Sequence, residues 1–177
     1  MLTAIIIQAR TGSTRFKNKI LQKINKKTIL EILLDRLIDS NFKVIIATTK
    51  KKEDNKIVEI ANKYKVNFFR GDEKNVLKRY YYTAQKFGIQ NIIRITSDCP
   101  FIDQHLIKKM FNEYKKKNAD YLSNTIKRTF PDGLDCEIFR FAALKNAFKY
   151  SKTKSDLEHV TPFIIRNKKL KKINFKY

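Results

Sequence analysis

The stretch from Ile5 to Leu21, IIIQARTGSTRFKNKIL, joins a short apolar run to a segment of glycine, hydroxyl and basic residues. An isoleucine run bounded by polar residues is typical of a strand that is buried on both faces of a sheet. In open α/β sheets, the loop that follows the first strand commonly binds a ligand. The positive charge of this loop indicates that the ligand is an anion.

Apolar runs and amphipathic segments alternate from this stretch to about residue 120. Thr28 and Glu31 form a T-x-x-E capping box, which predicts that a helix begins there and continues to residue 41. The other elements predicted in this half are strands at 43–49, 66–72 and 91–96 and helices at 53–65, 75–88 and 104–117. The alternation predicts an α/β fold with a mostly parallel, Rossmann-like sheet and helices on both faces.

The pattern changes beyond residue 120. Short strand patterns at 120–126 and 133–139 precede helical patterns near 141–150 and 157–167, and we interpret this part as a mixed-sheet extension that closes over the site. The chain has 177 residues with 42% hydrophobic content and contains no linker-like tract. We therefore expect residues 1–177 to form one domain.

The formal net charge of +22 permits nucleic acid, an anionic membrane surface or small phosphorylated ligands as partners. Most of the basic residues are lysines on predicted helix faces, where lysine usually serves to solvate the surface. We therefore consider a nucleic-acid interface the less favoured interpretation.

The cysteines and the apolar stretches of the sequence indicate the cellular compartment of the protein. Cys99 and Cys136 are far apart in sequence and match neither a disulfide framework nor a paired zinc motif, which favours free thiols. No apolar stretch approaches the length of a membrane span, and the N-terminus is interpreted as a first strand and not as a signal peptide. These features predict a cytoplasmic protein without a membrane partner.

The first loop contains neither a Walker A motif nor a G-x-G-x-x-G fingerprint. It still has groups that can grip a polyphosphate: a glycine for a tight turn, two hydroxyl donors and three cationic side chains. The candidate residues between Ala9 and the end of the loop are Arg10, Gly12, Ser13, Thr14, Arg15 and Lys19. The other interpretation is a surface turn with incidental charge.

Asp98 follows the strand predicted at 91–96, where its carboxylate can face the same crevice as the first loop. A carboxylate close to a bound triphosphate is suited to hold a hard cation such as Mg²⁺. It could instead cap the helix that follows Pro100, although Asp103 is better spaced for that role. The sequence leaves these two interpretations open.

Further acids and a histidine lie in the second half of the chain. Asp135 and Glu137 would share one face of a strand, where they could contact a metal or a sugar hydroxyl, or face solvent. His159 could donate to a phosphate or a sugar, or could be a structural hydrogen-bond donor. No Ser/His/Asp or Cys/His pairing supports a covalent nucleophile.

Four ordered motifs resemble one family of enzymes: residues 5–21, RITSDCPFID at 94–103, PDGLDCEIF at 131–139 and EHVTPFI at 158–164. They are similar to the cytidylyltransferases that activate acidic sugars, including the spore coat polysaccharide F-like proteins and the acylneuraminate and 3-deoxy-manno-octulosonate cytidylyltransferases. The resemblance implies a Rossmann-like nucleotidyltransferase fold and Mg²⁺-dependent transfer of CMP from CTP to a sugar hydroxyl, with release of pyrophosphate. Such enzymes commonly act in polysaccharide or glycan biosynthesis and are commonly dimers.

The resemblance also implies roles for particular residues. It places the nucleotide at Ala9, Arg10, Gly12, Ser13, Arg15 and Lys19. It implies that Arg15, Lys19 and Asp98 are catalytic, and that Asp98 and Asp135 are metal ligands. Substrate contacts would come from Asp135, Glu137 and His159.

Two departures from the family pattern bear on activity. Phe16, Lys17, Asn18 and Lys19 replace the Leu-Pro-Gly-Lys that the family usually shows, so the turn lacks its proline and glycine. The family continues to a strand and a D-x-x-E-D-like segment with a second metal-binding aspartate, so we expect this domain to be truncated at its C-terminus. Three hypotheses stay open: a CTP-dependent enzyme, an inactive nucleotide or sugar binder of the same fold, and a basic nucleic-acid-binding protein.

Overall fold

The computed structural model of the chain describes residues 1–12, 16 and 18–177. The strands within these residues are, in chain order, β1 (Thr3–Gln8), β2 (Lys23–Ile24), β3 (Lys27–Thr28), β4 (Lys43–Thr49), β5 (Asn67–Gly71), β6 (Asn91–Thr96), β7 (Tyr121–Ser123), β8 (Glu137–Arg140) and β9 (Lys172–Asn174). The helices are α1 (Ile29–Leu37), α2 (Asn55–Lys63), α3 (Val76–Lys86), α4 (Gln104–Lys116), α5 (Phe141–Tyr150), α6 (Lys154–His159) and α7 (Pro162–Arg166).

The main sheet of the described residues has the strand order β5-β4-β1-β6-β8-β7-β9. Strands β5, β4, β1 and β6 are parallel, β8 is antiparallel to both β6 and β7, and β9 is parallel to β7. The predicted α/β fold with a mostly parallel sheet and a mixed C-terminal extension is therefore confirmed. Because the parallel strands run in one direction, the segments that follow β1, β4 and β6 meet at the same edge.

Strand β1 is buried on both faces, as its isoleucines predict. Ile5 and Ile7 belong to the core that includes Leu33 of α1 and Ile107 of α4, whereas Ile6 belongs to the core beneath α3 and α5. Successive side chains of a strand point to opposite faces, so one short run supplies both cores. Across the described residues, no helix is long and apolar enough to cross a membrane.

The predicted strands and helices up to residue 120 are each present, with the ends displaced by a few residues. The helical pattern at 157–167 differs, because it forms two short helices, α6 and α7, that meet at Val160. Val160 has a φ of 72°, a conformation that β-branched residues rarely adopt, and the chain therefore cannot continue as one helix.

The capping box at the start of α1 is confirmed. The Thr28 side chain accepts from the backbone N–H of Glu31, and the Glu31 carboxylate accepts from the Thr28 N–H at 2.7 Å and from Lys63 Nζ at 2.7 Å. Burial alone would raise the pKa of Glu31, but these hydrogen bonds outweigh it and lower the pKa to about 2.

We expect acid to weaken the fold through Glu31. Its pKa in the folded chain lies below the ordinary value of 4.5, so its contribution is complete above pH 4.5 and is lost as the pH falls towards about 2. The Glu31→Gln variant should therefore lose about 2 kcal/mol less of its free energy of unfolding between pH 6 and pH 3 than the unmodified chain. Urea unfolding at a series of pH values measures this difference, and equal losses in both chains would contradict it.

Candidate active site

A cavity of about 510 Å³ lies where the segments that follow β1 and β6 meet. Four basic side chains face it with two acidic ones, and its described lining is Gln8, Ala9, Arg10, Phe16, Lys19, Ile20, Val76, Arg79, Arg94, Thr96, Ser97, Asp98, Glu158 and His159. The excess of basic over acidic side chains suits an anionic ligand. Five predicted site residues thus meet here: Ala9, Arg10, Lys19, Asp98 and His159.

The first loop is described only at its two ends. Ser13, Thr14 and Arg15 lie outside the described residues, so their predicted contacts with a nucleotide stay predictions. Gly12 does not have a left-handed φ. The described atom nearest to a Cβ added at this position is Glu73 Oε1, at an ordinary 3.7 Å, and the predicted contact of Gly12 with a nucleotide stays a prediction.

Lys19 and Asp98 bring the ends of the first loop and of β6 together. Lys19 Nζ lies 3.5 Å from Asp98 Oδ2, and both side chains remain about half exposed to the cavity. Burial would raise the pKa of Asp98, but a hydrogen bond from Thr96 and the charge of Lys19 together hold it below its ordinary value. Asp98 is therefore an ionised carboxylate at neutral pH, facing the cavity.

The interpretation of Asp98 as a helix cap is wrong. Helix α4 begins at Gln104, and its N-cap is Asp103, whose Oδ1 accepts from the backbone N–H of His105 at 2.9 Å. Asp98 therefore does not cap this helix, which removes capping as the explanation for its carboxylate.

Asp135 and Glu137 do not share a strand face, contrary to the expectation from their spacing. Strand β8 begins at Glu137, and Asp135 precedes it in a forked ion pair with Arg128, with two N–O distances of 2.9 Å. Glu137 is buried, pairs with Arg94 and accepts from the Tyr121 hydroxyl at 2.6 Å. The described cavity lining includes neither acid, so their contact with a substrate stays a prediction.

Two arginines of the cavity wall were missed by the sequence reasoning. Arg79 of α3 is 1% exposed and donates to the backbone oxygen of Asp72 at 2.7 Å. Arg94 of β6 donates to Gln8 Oε1 at 3.0 Å, in addition to its pair with Glu137. A signal was available for Arg94, because a charged residue within the buried pattern NIIRIT requires a partner.

His159 and Glu158 reach the cavity from the end of α6. The Thr161 N–H donates to the His159 backbone oxygen at 2.8 Å around Val160, which forms a γ-turn with φ 72° and ψ −52°. This sharp turn ends α6 where both side chains line the cavity. Contact of His159 with a substrate stays a prediction.

The donor set fits a magnesium ion that is shared with a polyphosphate. The described residues contain no group of three or more histidine, cysteine, aspartate or glutamate side chains that could hold a metal alone. Mg²⁺ usually takes one or two protein carboxylates together with phosphate oxygens and water, and Asp98 offers one ionised carboxylate beside the cavity. Asp135 is engaged with Arg128 and would first have to exchange that partner.

The chain is similar to known proteins in both sequence and structure. The sequence profile of the family described as Cytidylyltransferase matches residues 4–176. Protein MJ1063 of Methanocaldococcus jannaschii is 48% identical over 170 residues, which cover 95% of this chain and 69% of that protein. The spore coat polysaccharide biosynthesis protein SpsF of Bacillus subtilis is 30% identical over 177 residues, covering 96% and 72%.

More distant in sequence is the 3-deoxy-manno-octulosonate cytidylyltransferase of Rickettsia canadensis, which is 28% identical over 70% of this chain and 52% of its own length. Among solved structures, a cytidylyltransferase from Leptospira borgpetersenii superposes with a TM-score of 0.95 at 35% identity, covering all of this chain and 76% of that one. The family profile and the superposed structure both include the residues that form the cavity. This chain belongs to the cytidylyltransferase family.

Proposed function

We propose that the chain transfers CMP from CTP to a hydroxyl of an acidic sugar and releases pyrophosphate. The observation that carries this proposal is the cavity that Arg10 lines together with the Lys19–Asp98 ion pair. A cationic wall can bind the triphosphate, and the carboxylate can hold a divalent cation against it.

The basic residues would position the nucleotide. Arg10 and Lys19 would bind phosphate oxygens, together with Ser13 and Arg15 of the first loop. In-line attack by the sugar hydroxyl forms a bond to the α-phosphorus while the bond from that phosphorus to the oxygen bridging to the β-phosphate breaks. The hydroxyl proton leaves, and Glu158 and His159 line the cavity as candidate acceptors for it. No covalent enzyme intermediate is required.

Asp98 would hold Mg²⁺, with Asp135 as a second candidate ligand. When bound, the ion would neutralise the charge that develops on the phosphate oxygens of the departing pyrophosphate. Lys19 pairs with Asp98 in the structure. Because Lys19 would also bind phosphate oxygens, binding of the metal at Asp98 and binding of the triphosphate would be linked.

The class of acceptor rests on the relatives. The name of one relative places it in spore coat polysaccharide synthesis, and that of another identifies a 3-deoxy-manno-octulosonate cytidylyltransferase. An acidic sugar and a role in surface polysaccharide synthesis are proposed for this chain by that similarity. We likewise propose that residues 1–177 act as one nucleotidyltransferase domain in the cytoplasm, and that a homodimer is its working form.

Nucleotide preference offers a direct test. In the presence of Mg²⁺, CTP should raise the melting temperature more than ATP, GTP or UTP at equal concentration, because a ligand that binds only the folded chain stabilises it. Differential scanning fluorimetry measures these shifts. Equal shifts with all four triphosphates would contradict a cytidylyl preference.

Turnover separates an enzyme from an inactive binder. Pyrophosphate release should appear when CTP, Mg²⁺ and a member of a panel of acidic sugars are present together. Binding of CTP without release with any acceptor would favour the inactive relative. Affinity for random duplex DNA that falls steeply with salt, without a preference for CTP, would instead favour a nucleic-acid-binding protein.

A further inference from the structure

Asp54 is a buried carboxylate outside the cavity lining. It ends a short 3-10 turn at Lys52–Asp54, directly before α2, and is 1% exposed. Its Oδ1 accepts from the backbone N–H of Thr11 at 2.8 Å and from the Thr11 hydroxyl at 2.7 Å. Its Oδ2 accepts from the Thr49 hydroxyl, so both carboxylate oxygens are satisfied without water.

The position of Asp54 in sequence suggests a different and more ordinary role, which the structure excludes. Asp54 occupies the N-cap of α2, where an aspartate usually accepts a hydrogen bond from the backbone of its own helix. Its side chain makes no such capping bond. It reaches instead across the end of β4 to Thr11, 43 residues away in sequence. A buried carboxylate is costly unless it is fully hydrogen-bonded, so this arrangement needs its Thr11 and Thr49 donors.

Thr11 is the residue at which the first loop is closed. It follows Arg10, which lines the cavity, and its backbone oxygen accepts from the Asn18 N–H at 3.1 Å. Lys19 follows Asn18 and reaches Asp98. The hydrogen bonds that fix Thr11 therefore also influence the positions of Arg10 and Lys19, the cationic residues at the two ends of the loop.

We infer that Asp54 is a positioning residue for the nucleotide: it does not touch the ligand, but holds Thr11 so that Arg10 and Lys19 are set before the triphosphate binds. This inference rests on the proposed function. When Arg10 and Lys19 are already in place, triphosphate binding avoids the entropy cost of fixing these two side chains, which strengthens affinity more than it changes the chemical step.

The Asp54→Ala variant tests this role. We expect KM for CTP to rise about tenfold to thirtyfold while kcat changes less than about threefold, since the placement of Arg10 and Lys19 affects binding before chemistry. The matched control is Glu31→Ala, which removes a buried carboxylate that also accepts from both the N–H and the hydroxyl of one threonine. It should lower the melting temperature and leave KM for CTP unchanged. Equal KM values in Asp54→Ala and Glu31→Ala would overturn the inference.

Substitutions at Thr11 test the same hydrogen bonds from the other partner, which matters if Asp54→Ala does not fold. Thr11→Ser retains both donors to Asp54 and should have the KM of the unmodified chain. Thr11→Val keeps the shape, loses the hydroxyl donor and should raise KM about threefold to tenfold, because the backbone donor remains. The inference is wrong if the valine and serine variants bind CTP equally.

Amide hydrogen exchange provides a measurement that does not depend on activity. The Thr11 and Asn18 amides should be protected in the unmodified chain and should exchange faster in Asp54→Ala, whereas the Glu31→Ala control should retain their protection. If the unmodified chain binds no CTP, the proposed function fails, while lost protection in Asp54→Ala still identifies the hold on the loop. Unchanged protection of both amides would overturn that hold.

Discussion

Asp98→Asn should abolish the Mg²⁺-dependent part of CTP binding and lower the rate of pyrophosphate release about a hundredfold. The amide keeps the size of the side chain and removes the charge that a hard cation requires. CTP binding measured without the metal should persist or improve, because the carboxylate no longer repels the phosphates or competes for Lys19. Calorimetric titration with CTP, with and without Mg²⁺, measures both parts.

Asp103→Asn is the matched control. Asp103 lies five residues further along, is the N-cap of α4, and asparagine caps a helix as well as aspartate does. This variant should bind Mg²⁺ and CTP like the unmodified chain. The assignment of Asp98 would be refuted by Mg²⁺-dependent CTP binding that survives in Asp98→Asn.

Glu137→Gln should lower the free energy of unfolding by about 3 kcal/mol, because it leaves the charge of Arg94 buried without its partner. The two side chains are 12% and 9% exposed, and a neutral amide can replace the hydrogen bond but not the charge. Urea denaturation at neutral pH measures the loss. Arg94 also lines the cavity, so CTP affinity should fall in the same variant.

Asp135→Asn is the control for this second substitution. Its partner Arg128 is about half exposed, and an ion pair of that kind contributes less than about 1 kcal/mol. The comparison of Glu137→Gln with Asp135→Asn also tests the substrate contact that the sequence predicted for Glu137. A Glu137→Gln chain that kept its stability but lost affinity for the sugar would indicate a substrate contact instead of a structural one.

Much of the fold follows from local patterns. The isoleucines of β1, the capping box of Thr28 and Glu31 and the periodicity of α3 and α4 depend on neighbours within a few residues, and the structure agrees with each. Placement of the first loop and Asp98 at one edge also follows, because parallel strands put their carboxyl ends together. The break between α6 and α7 does not follow, since a left-handed φ at a valine is contrary to local preference.

The sequence by itself thus determined the order of strands and helices, the parallel sheet and the edge at which the cavity lies. Only the tertiary structure decided what the charged side chains do there: Asp54 holds Thr11, Glu137 is paired with Arg94, and Arg94 also reaches Gln8. These partners are 43 to 86 residues apart in sequence. The periodicity of a helix or strand indicates which of its faces is apolar. Burying a charge costs free energy that only a particular donor or acceptor can offset, and that partner becomes a neighbour only when the chain folds.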